Sequence, residues 1–346
     1  MFHLKEYLNH NKVYTIAEMS ANHAGSIENA LEIVHEAKKA GASCLKIQTY
    51  TADTITINCN TDIFQIHGGL WDGENLYSLY KKAFTPWEWQ KRIKDECDRV
   101  GIDFLSTPFD PSAVDFLEEI GCEAYKIASF EIVDIPLIEY AASKGKPMII
   151  SCGMASKEEI SEAIEACYRQ GNRDVVLLKC CSEYPSDPKN LNLSMISDMK
   201  NSFGVPVGLS DHSMGHLADV VAVAYGARVV EKHFCLSRNL KNPDSDFSME
   251  PSEFREMVDA VEKVISMNGK INYGPSHAEE EEYKCRRSLF AVADIKKGEV
   301  FTNKNVRSIR PSNGIKPKYY KDILGKKAKE DIPFGTPIQF DLIEDE

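Results

Sequence analysis

The sequence predicts an α/β fold: a closed (β/α)8 barrel followed by a small β-rich domain. Three observations carry this expectation. Eight short apolar segments recur along the chain, and helix start and stop signals separate each from the next. Alternating β and α elements imply a parallel sheet, and eight of them favour a barrel over an open sheet. Each apolar segment also ends in polar side chains, which a closed barrel would gather at one mouth, the end where such barrels do chemistry. Finally, composition flips near residue 284. Lys284–Lys329 holds fourteen Lys or Arg and three Asp or Glu, in a chain whose formal net charge is −12.

The expected strands are Ile16–Ser20, Ser43–Gln48, Ile102–Thr107, Ala124–Ser129, Pro147–Ser151, Asp174–Cys180, Val205–Ser210 and Arg228–His233. Between them, Ser26 opens a helix that ends in Lys38-Lys39, with positive charge at the favourable end of the dipole. Thr85-Pro86-Trp87-Glu88 reads as a capping box with Pro at the first helical position, before a helix running to Gly101. Asp110-Pro111 opens the next helix, which stops at Gly121. Ser156 with Glu159 opens another, which stops at Gly171. No G-x-G-x-x-G or P-loop supports an open sheet instead. Residues 49–84 interrupt the rhythm, and a loop of that length on the active face of a barrel reads as a lid or specificity element. The expected division is residues 1–268 for the barrel, 269–284 for a linker and 285–346 for the second domain. In the last, Asp294-Ile295-Lys296-Lys297-Gly298 is echoed by Asp331-Ile332-Pro333-Phe334-Gly335. A domain that small barely supports a core. Its basic surface suggests docking on an acidic barrel, its own or a partner's.

The chain has 346 residues, of which 43% are apolar, enough for one barrel and a small companion. Its acidity argues against a nucleic-acid or anionic-membrane partner. Ten cysteines without a C-x-x-C pair, and no signal-peptide pattern or membrane span, lead us to expect reduced thiols in the cytoplasm.

His212 and His233 end the seventh and eighth strands. Two imidazoles there suit a Lewis-acid metal with open positions, although each alone is an ordinary site histidine. Lys46 and Lys126 lie within apolar strands, where a lysine needs an anion or a Schiff base. Thr107, Ser129, Ser151 and Ser210 supply hydroxyls at neighbouring ends, so the set makes an oxyanion cradle for a phosphate. Glu18 ends the first strand beside the eighth and is placed to move protons. Glu131, Tyr184 and Asp244 are loop positions able to meet a polyol, and Arg310 of the basic domain suits a carboxylate or N-acyl oxygen.

Ile16-Ala17-Glu18-Met19-Ser20-Ala21-Asn22-His23, Leu45-Lys46-Ile47-Gln48-Thr49-Tyr50, Tyr125-Lys126-Ile127-Ala128-Ser129, Gly208-Leu209-Ser210-Asp211-His212 and Glu231-Lys232-His233-Phe234 resemble the sialic acid synthase family. Arg286-Arg287-Ser288-Leu289 and Asp294-Ile295-Lys296-Lys297-Gly298-Glu299 resemble that family's C-terminal antifreeze-like (SAF) domain. The resemblance implies a TIM barrel plus SAF domain that joins phosphoenolpyruvate to an amino-sugar aldehyde. It further implies Mn2+, or Mg2+ or Co2+, on His212 and His233, and phosphoenolpyruvate on Lys46, Thr107, Lys126, Ser129, Ser151 and Ser210. The sugar would lie against Gln48, Glu131, Tyr184, Asp244 and Arg310, in a domain-swapped homodimer. Trp71-Asp72-Gly73, Leu76-Tyr77-Ser78-Leu79-Tyr80, Thr85-Pro86-Trp87-Glu88-Trp89 and Ala128-Ser129-Phe130-Glu131-Ile132 resemble the branch that takes 2,4-diacetamido-2,4,6-trideoxy-L-altrose. Ser182 stands where neuraminate-forming members commonly carry Asn, which fits a different sugar. Flagellin or capsule modification is the destination such a product implies. The rivals are the same chemistry on N-acetylmannosamine or the legionaminate precursor, a Schiff-base aldolase using Lys46 or Lys126, and a non-catalytic carbohydrate-binding protein.

Overall fold

β1 (Tyr14–Glu18), β2 (Cys44–Thr49), β3 (Asp103–Pro108), β4 (Tyr125–Ile127), β5 (Met148–Ser151), β6 (Val175–Cys180), β7 (Val207–Asp211) and β8 (Val229–His233) pair in sequence order. β8 then closes back onto β1, all parallel. The computed structural model describes residues 2–344. Nearly every strand residue is buried, as expected where helices cover the outside of a parallel sheet. The helices are α1 (Leu4–Asn9), α2 (Ile27–Lys39), α3 (Ala52–Ile55), α4 (Leu76–Ala83), α5 (Trp87–Val100), α6 (Pro111–Glu119) and α7 (Ile135–Ala142). They continue with α8 (Lys157–Arg169), α9 (Met195–Phe203), α10 (Leu217–Ala224) and α11 (Pro251–Asn268).

The lower barrel is apolar. Leu4, Tyr14, Ile16, Leu105, Ile149, Val176, Leu178 and Val229 form one buried cluster, and Leu4 comes from α1, which the apolar spacing had not announced. Burying that leucine stabilises the plug by about 1.5–3 kcal/mol. A larger apolar layer packs between strands and helices. The strands approach closely at Gly208, where an added Cβ would strike the Val229 carbonyl and Leu178. Polar side chains are thus displaced to the upper end of the barrel.

Local punctuation holds with three differences. Asp110 and Ser156 cap α6 and α8 as the sequence predicts, the latter through a full capping box with Glu159. The box at Thr85 does not form. α5 starts one residue later, on Pro86, and the Thr85 hydroxyl has no partner among the described residues. The cause is tertiary: buried Gln90 donates to the Thr85 and Gln48 carbonyls and accepts from the Thr49 hydroxyl, which fixes the helix start. β1 ends at Glu18, and Ser20 falls in a 3-10 turn with φ 42°. β4 is shorter than the sequence predicts, because Ser129–Glu131 turns into a 3-10 segment.

The chain separates after Gly269, and the second compact unit begins at Lys270, so residues 270–284 group with it. That unit holds α12 (Glu280–Lys284), α13 (Tyr320–Ile323) and the antiparallel pair β9 (Ser288–Ala291) and β10 (Val306–Ile309). Its core includes Leu289, Ile295, Phe301, Val306, Ile332 and Ile338. The internal repeat has a physical basis here. Ile295 and Ile332 exchange both backbone hydrogen bonds at 2.8 Å. Asp294 accepts from the Phe334 amide at 2.7 Å, and Asp331 accepts from the Lys297 amide at 2.8 Å. The two copies therefore brace each other reciprocally.

Candidate active site

Strand register builds a ring of polar groups at the upper mouth. Glu18 lies opposite Lys46 on one side and His233 on the other, Gln48 opposite Thr107, and Ser210 between Cys180 and Glu231. Lys46 and Lys126 are 4% and 1% exposed, so their charges must be met inside. Lys46 Nζ lies 2.7 Å from Glu18 and 3.5 Å from Glu231, and donates to the Thr107 hydroxyl at 3.4 Å. Lys126 Nζ donates to Ser151 at 2.6 Å and lies 3.7 Å from Glu231. Ser210 donates to Glu231 at 3.0 Å. Ser20 donates to Glu18, and Gln48 donates to Ser20 at 3.0 Å.

This is a buried network of two lysines and two carboxylates. Burial pushes the Glu18 carboxyl up, aided by Glu231 and opposed by Lys46. Burial also favours the neutral form of Glu231, but Lys126 and Lys46 outweigh it and hold that carboxylate low. Burial lowers the Lys126 ammonium. Sequence reasoning assigned Glu231 no role, yet it bridges both lysines and Ser210. The signal was present, since Glu231 and His233 are two apart on one strand and so share a face.

The hydroxyls of the β4, β5 and β6 loops converge nearby. Ser129 Oγ accepts from the Gly153 amide at 3.0 Å. Gly153 is required for this approach, because a Cβ there would sit 2.7 Å from Ser129 Oγ and collide with Ser182 Oγ. The Ser182 hydroxyl has no partner among the described residues.

His212 and His233 have ring centroids 5.4 Å apart. The Cys181 carbonyl, 2.8 Å from His212 Nδ1, can only accept, so Nδ1 carries a proton and Nε2 is the nitrogen left for a ligand. Burial lowers this imidazole, but Cys180 and the Cys181 carbonyl outweigh it and hold it above its ordinary value. His233 Nδ1 is buried with no partner among the described residues. Burial, then His212, Lys46 and Lys232, hold the His233 imidazole well below its ordinary value, in the neutral form a ligand needs. Among the described residues no group of three or more His, Cys, Asp or Glu side chains could hold a metal ion. On the imidazole pair alone, a divalent ion would keep its other positions for water and substrate.

Around this centre, Tyr184 stacks on His212 at 4.2 Å and touches Phe247 at 5.3 Å. Asp244 is half-buried and accepts from the Ala21 amide at 2.9 Å, and loss of water around it pushes its carboxyl up to about 6. Glu131 follows β4, with Oε2 unpartnered among the described residues, and burial pushes its carboxyl up to about 7. Beneath the mouth, Lys232 points to the helix layer. It pairs with Asp211, lies 3.8 Å from Asp219, and donates to the Ser213 and Gly215 carbonyls at 2.6 and 2.8 Å. This fastens the loop that carries His212. Of the expected residues, all but one gather on the barrel. Arg310 lies in the second unit, in a cleft of about 490 Å³ with Glu282, Cys285, Arg286 and Arg287.

The model of the NeuB family matches residues 33–273, and that of the SAF domain matches residues 286–344. A pseudaminic acid synthase of Campylobacter jejuni subsp. jejuni serotype O:23/36 (strain 81-176) is 47% identical over 331 residues, 95% of this chain and 96% of the relative. One from Helicobacter pylori is 44% identical, over 95% of this chain and 97% of the relative. The crystal structure of an N-acetylneuraminic acid synthetase from Leptospira borgpetersenii superposes with a TM-score of 0.70 at 33% identity, over 79% of this chain and 90% of that one.

Proposed function

The chain belongs to the NeuB family, and from that membership we propose that it is a pseudaminic acid synthase. It joins phosphoenolpyruvate and water to 2,4-diacetamido-2,4,6-trideoxy-L-altrose, giving pseudaminic acid and phosphate. One observation supports this reading most. Two buried lysines share a carboxylate beside three hydroxyls, directly next to an open imidazole pair. An anion cradle next to an electrophile-binding pair is what this condensation needs.

Lys46, Thr107, Lys126, Ser129, Ser151 and Ser210 hold the carboxylate and phosphate of phosphoenolpyruvate. Gln48, Glu131, Tyr184, Asp244 and Arg310 orient the sugar. Held by His212 and His233, a divalent ion, Mn2+ in this proposal, supplies Lewis-acid polarisation of the aldehyde. The cradle aims the methylene carbon of phosphoenolpyruvate at the aldehyde carbon, where the new C–C bond forms. Water adds at the enol-ether carbon, and Glu18 takes its proton at the carboxylate. That proton goes to the oxygen of the former aldehyde. The bond from the former enol-ether carbon to the phosphate oxygen then breaks, and the remaining water proton leaves with phosphate. A carboxyl raised by burial but tempered by Lys46 suits both halves of this transfer.

The second unit carries Arg310 onto the barrel of a second subunit in a domain-swapped homodimer. The basic stretch 284–329, set against the acidity of the rest of the chain, supports that docking. The cysteines are all free among the described residues, and no helix there is long and apolar enough to cross a membrane; a cytoplasmic setting fits both. The test is the fate of the bridging oxygen. With phosphoenolpyruvate labelled at that atom, this mechanism delivers the label to phosphate. Label retained in the sugar acid contradicts it.

A further inference from the structure

The long insertion after β2 ends in a small closed loop with an aromatic tip. Ile66 N donates to the Glu74 carbonyl and Gly73 N to the Ile66 carbonyl, both at 2.9 Å. Gly68 N donates to Asp72 at 2.6 Å, and Gly68, Gly69 and Gly73 take the left-handed backbone this turn requires. The base is pinned by the Gln65–Asn75 bridge, and by Asn75, which caps α4 and donates to the Cys59 carbonyl at 2.8 Å. The loop is thus held in shape, and it presents Trp71.

Trp71 does not point to solvent. Its ring lies 5.6 Å from Tyr184, which itself stacks 4.2 Å from His212. The three rings run outward from the imidazole pair in the order His212, Tyr184, Trp71. The indole N–H is already given to the Pro243 carbonyl at 3.1 Å, next to Asp244. What Trp71 has left to offer a ligand is carbon surface.

We propose that Trp71 is a specificity-determining residue that reads the deoxygenated, methyl end of the sugar. The inference rests on the function proposed above. The imidazole pair fixes the aldehyde end, so the outermost ring meets the far end of the chain. In a 6-deoxy sugar that end is a methyl group, which a ring without a free donor accepts. A 6-hydroxyl there would lose water without finding a partner. An apolar pocket rejects an added hydroxyl by about 10 to 100-fold, and no more.

The experiment compares 2,4-diacetamido-2,4,6-trideoxy-L-altrose with its 6-hydroxy counterpart, using phosphate release with Mn2+ in wild type, W71A and W71F. Wild type should prefer the 6-deoxy sugar by about 10-fold or more in kcat/KM. W71A should bring that preference to within about twofold while KM for phosphoenolpyruvate stays unchanged, and W71F should restore part of it. Trp71 is half-buried on a largely exposed loop outside the core, so the variants keep their fold. A preference that survives in W71A overturns the inference. Wild type that turns over neither sugar overturns the proposed function, and this inference with it.

Discussion

At the scale of single residues, the site is a set of side chains whose protonation is set by burial and by the charges beside them. Glu131 is the cleanest case. Its carboxyl is pushed up to about 7 from an ordinary 4.5. A carboxyl raised in the folded state contributes stability that is full below about pH 4.5 and is lost as pH rises through about 7. E131Q mimics the neutral form and removes that loss. Its stability relative to wild type should therefore grow from pH 4.5 to 7 and then level off, by about 1–3 kcal/mol, in denaturant melts across that range. A difference independent of pH would contradict the assignment. Residue identity made Glu18, the lysines and the histidines legible in the sequence, because a charge inside an apolar strand demands a reason. Glu231 was hidden by its neighbours Lys232 and His233, and only strand alternation separates its inward face from the outward face of Lys232.

At the scale of elements, that outward face has its own work. Lys232 ties β8 to the end of β7, to the first turn of α10 at Asp219 and to the loop carbonyls between them. Removing one partner of a buried ion pair leaves the others uncompensated. K232M should lower unfolding free energy by about 3–5 kcal/mol, read from urea midpoints. A loss below about 1 kcal/mol would place this network among ordinary surface pairs. The order and number of the barrel strands were legible, since apolar runs and caps repeat at regular spacing. Boundaries were less so, for reasons visible at α5. Thr85 and Glu88 have the spacing of a capping box, but the buried Gln90 amide sets the helix start through contacts far away in sequence. The plug α1 was missed for a similar reason. Six residues carry too little periodicity to announce a helix whose stability comes from the barrel floor.

At the scale of the whole molecule, the acidic barrel and residues 270–346 are separate units, and the basic stretch 284–329 marked the second of them in the sequence. The position of the break after Gly269 was less visible, because residues 270–284 are acidic like the barrel yet group with the second unit. The proposed sharing of the site between subunits has a consequence that one chain alone lacks. H212A and R310A should each lose turnover. Refolded together as an equal mixture, they should recover about a quarter of wild-type activity, because half the dimers carry one intact site of two. No recovery on mixing would place Arg310 at its own barrel or outside the site. The central claim is the substrate, and one measurement reaches it directly: phosphate release from phosphoenolpyruvate with Mn2+ against the diacetamido-altrose, the diacetamido-mannose and N-acetylmannosamine. Release is expected with the altrose alone, abolished by chelator and restored by metal. Release with another sugar instead would contradict the pseudaminate assignment, and release that survives full metal removal would contradict the role given to His212 and His233.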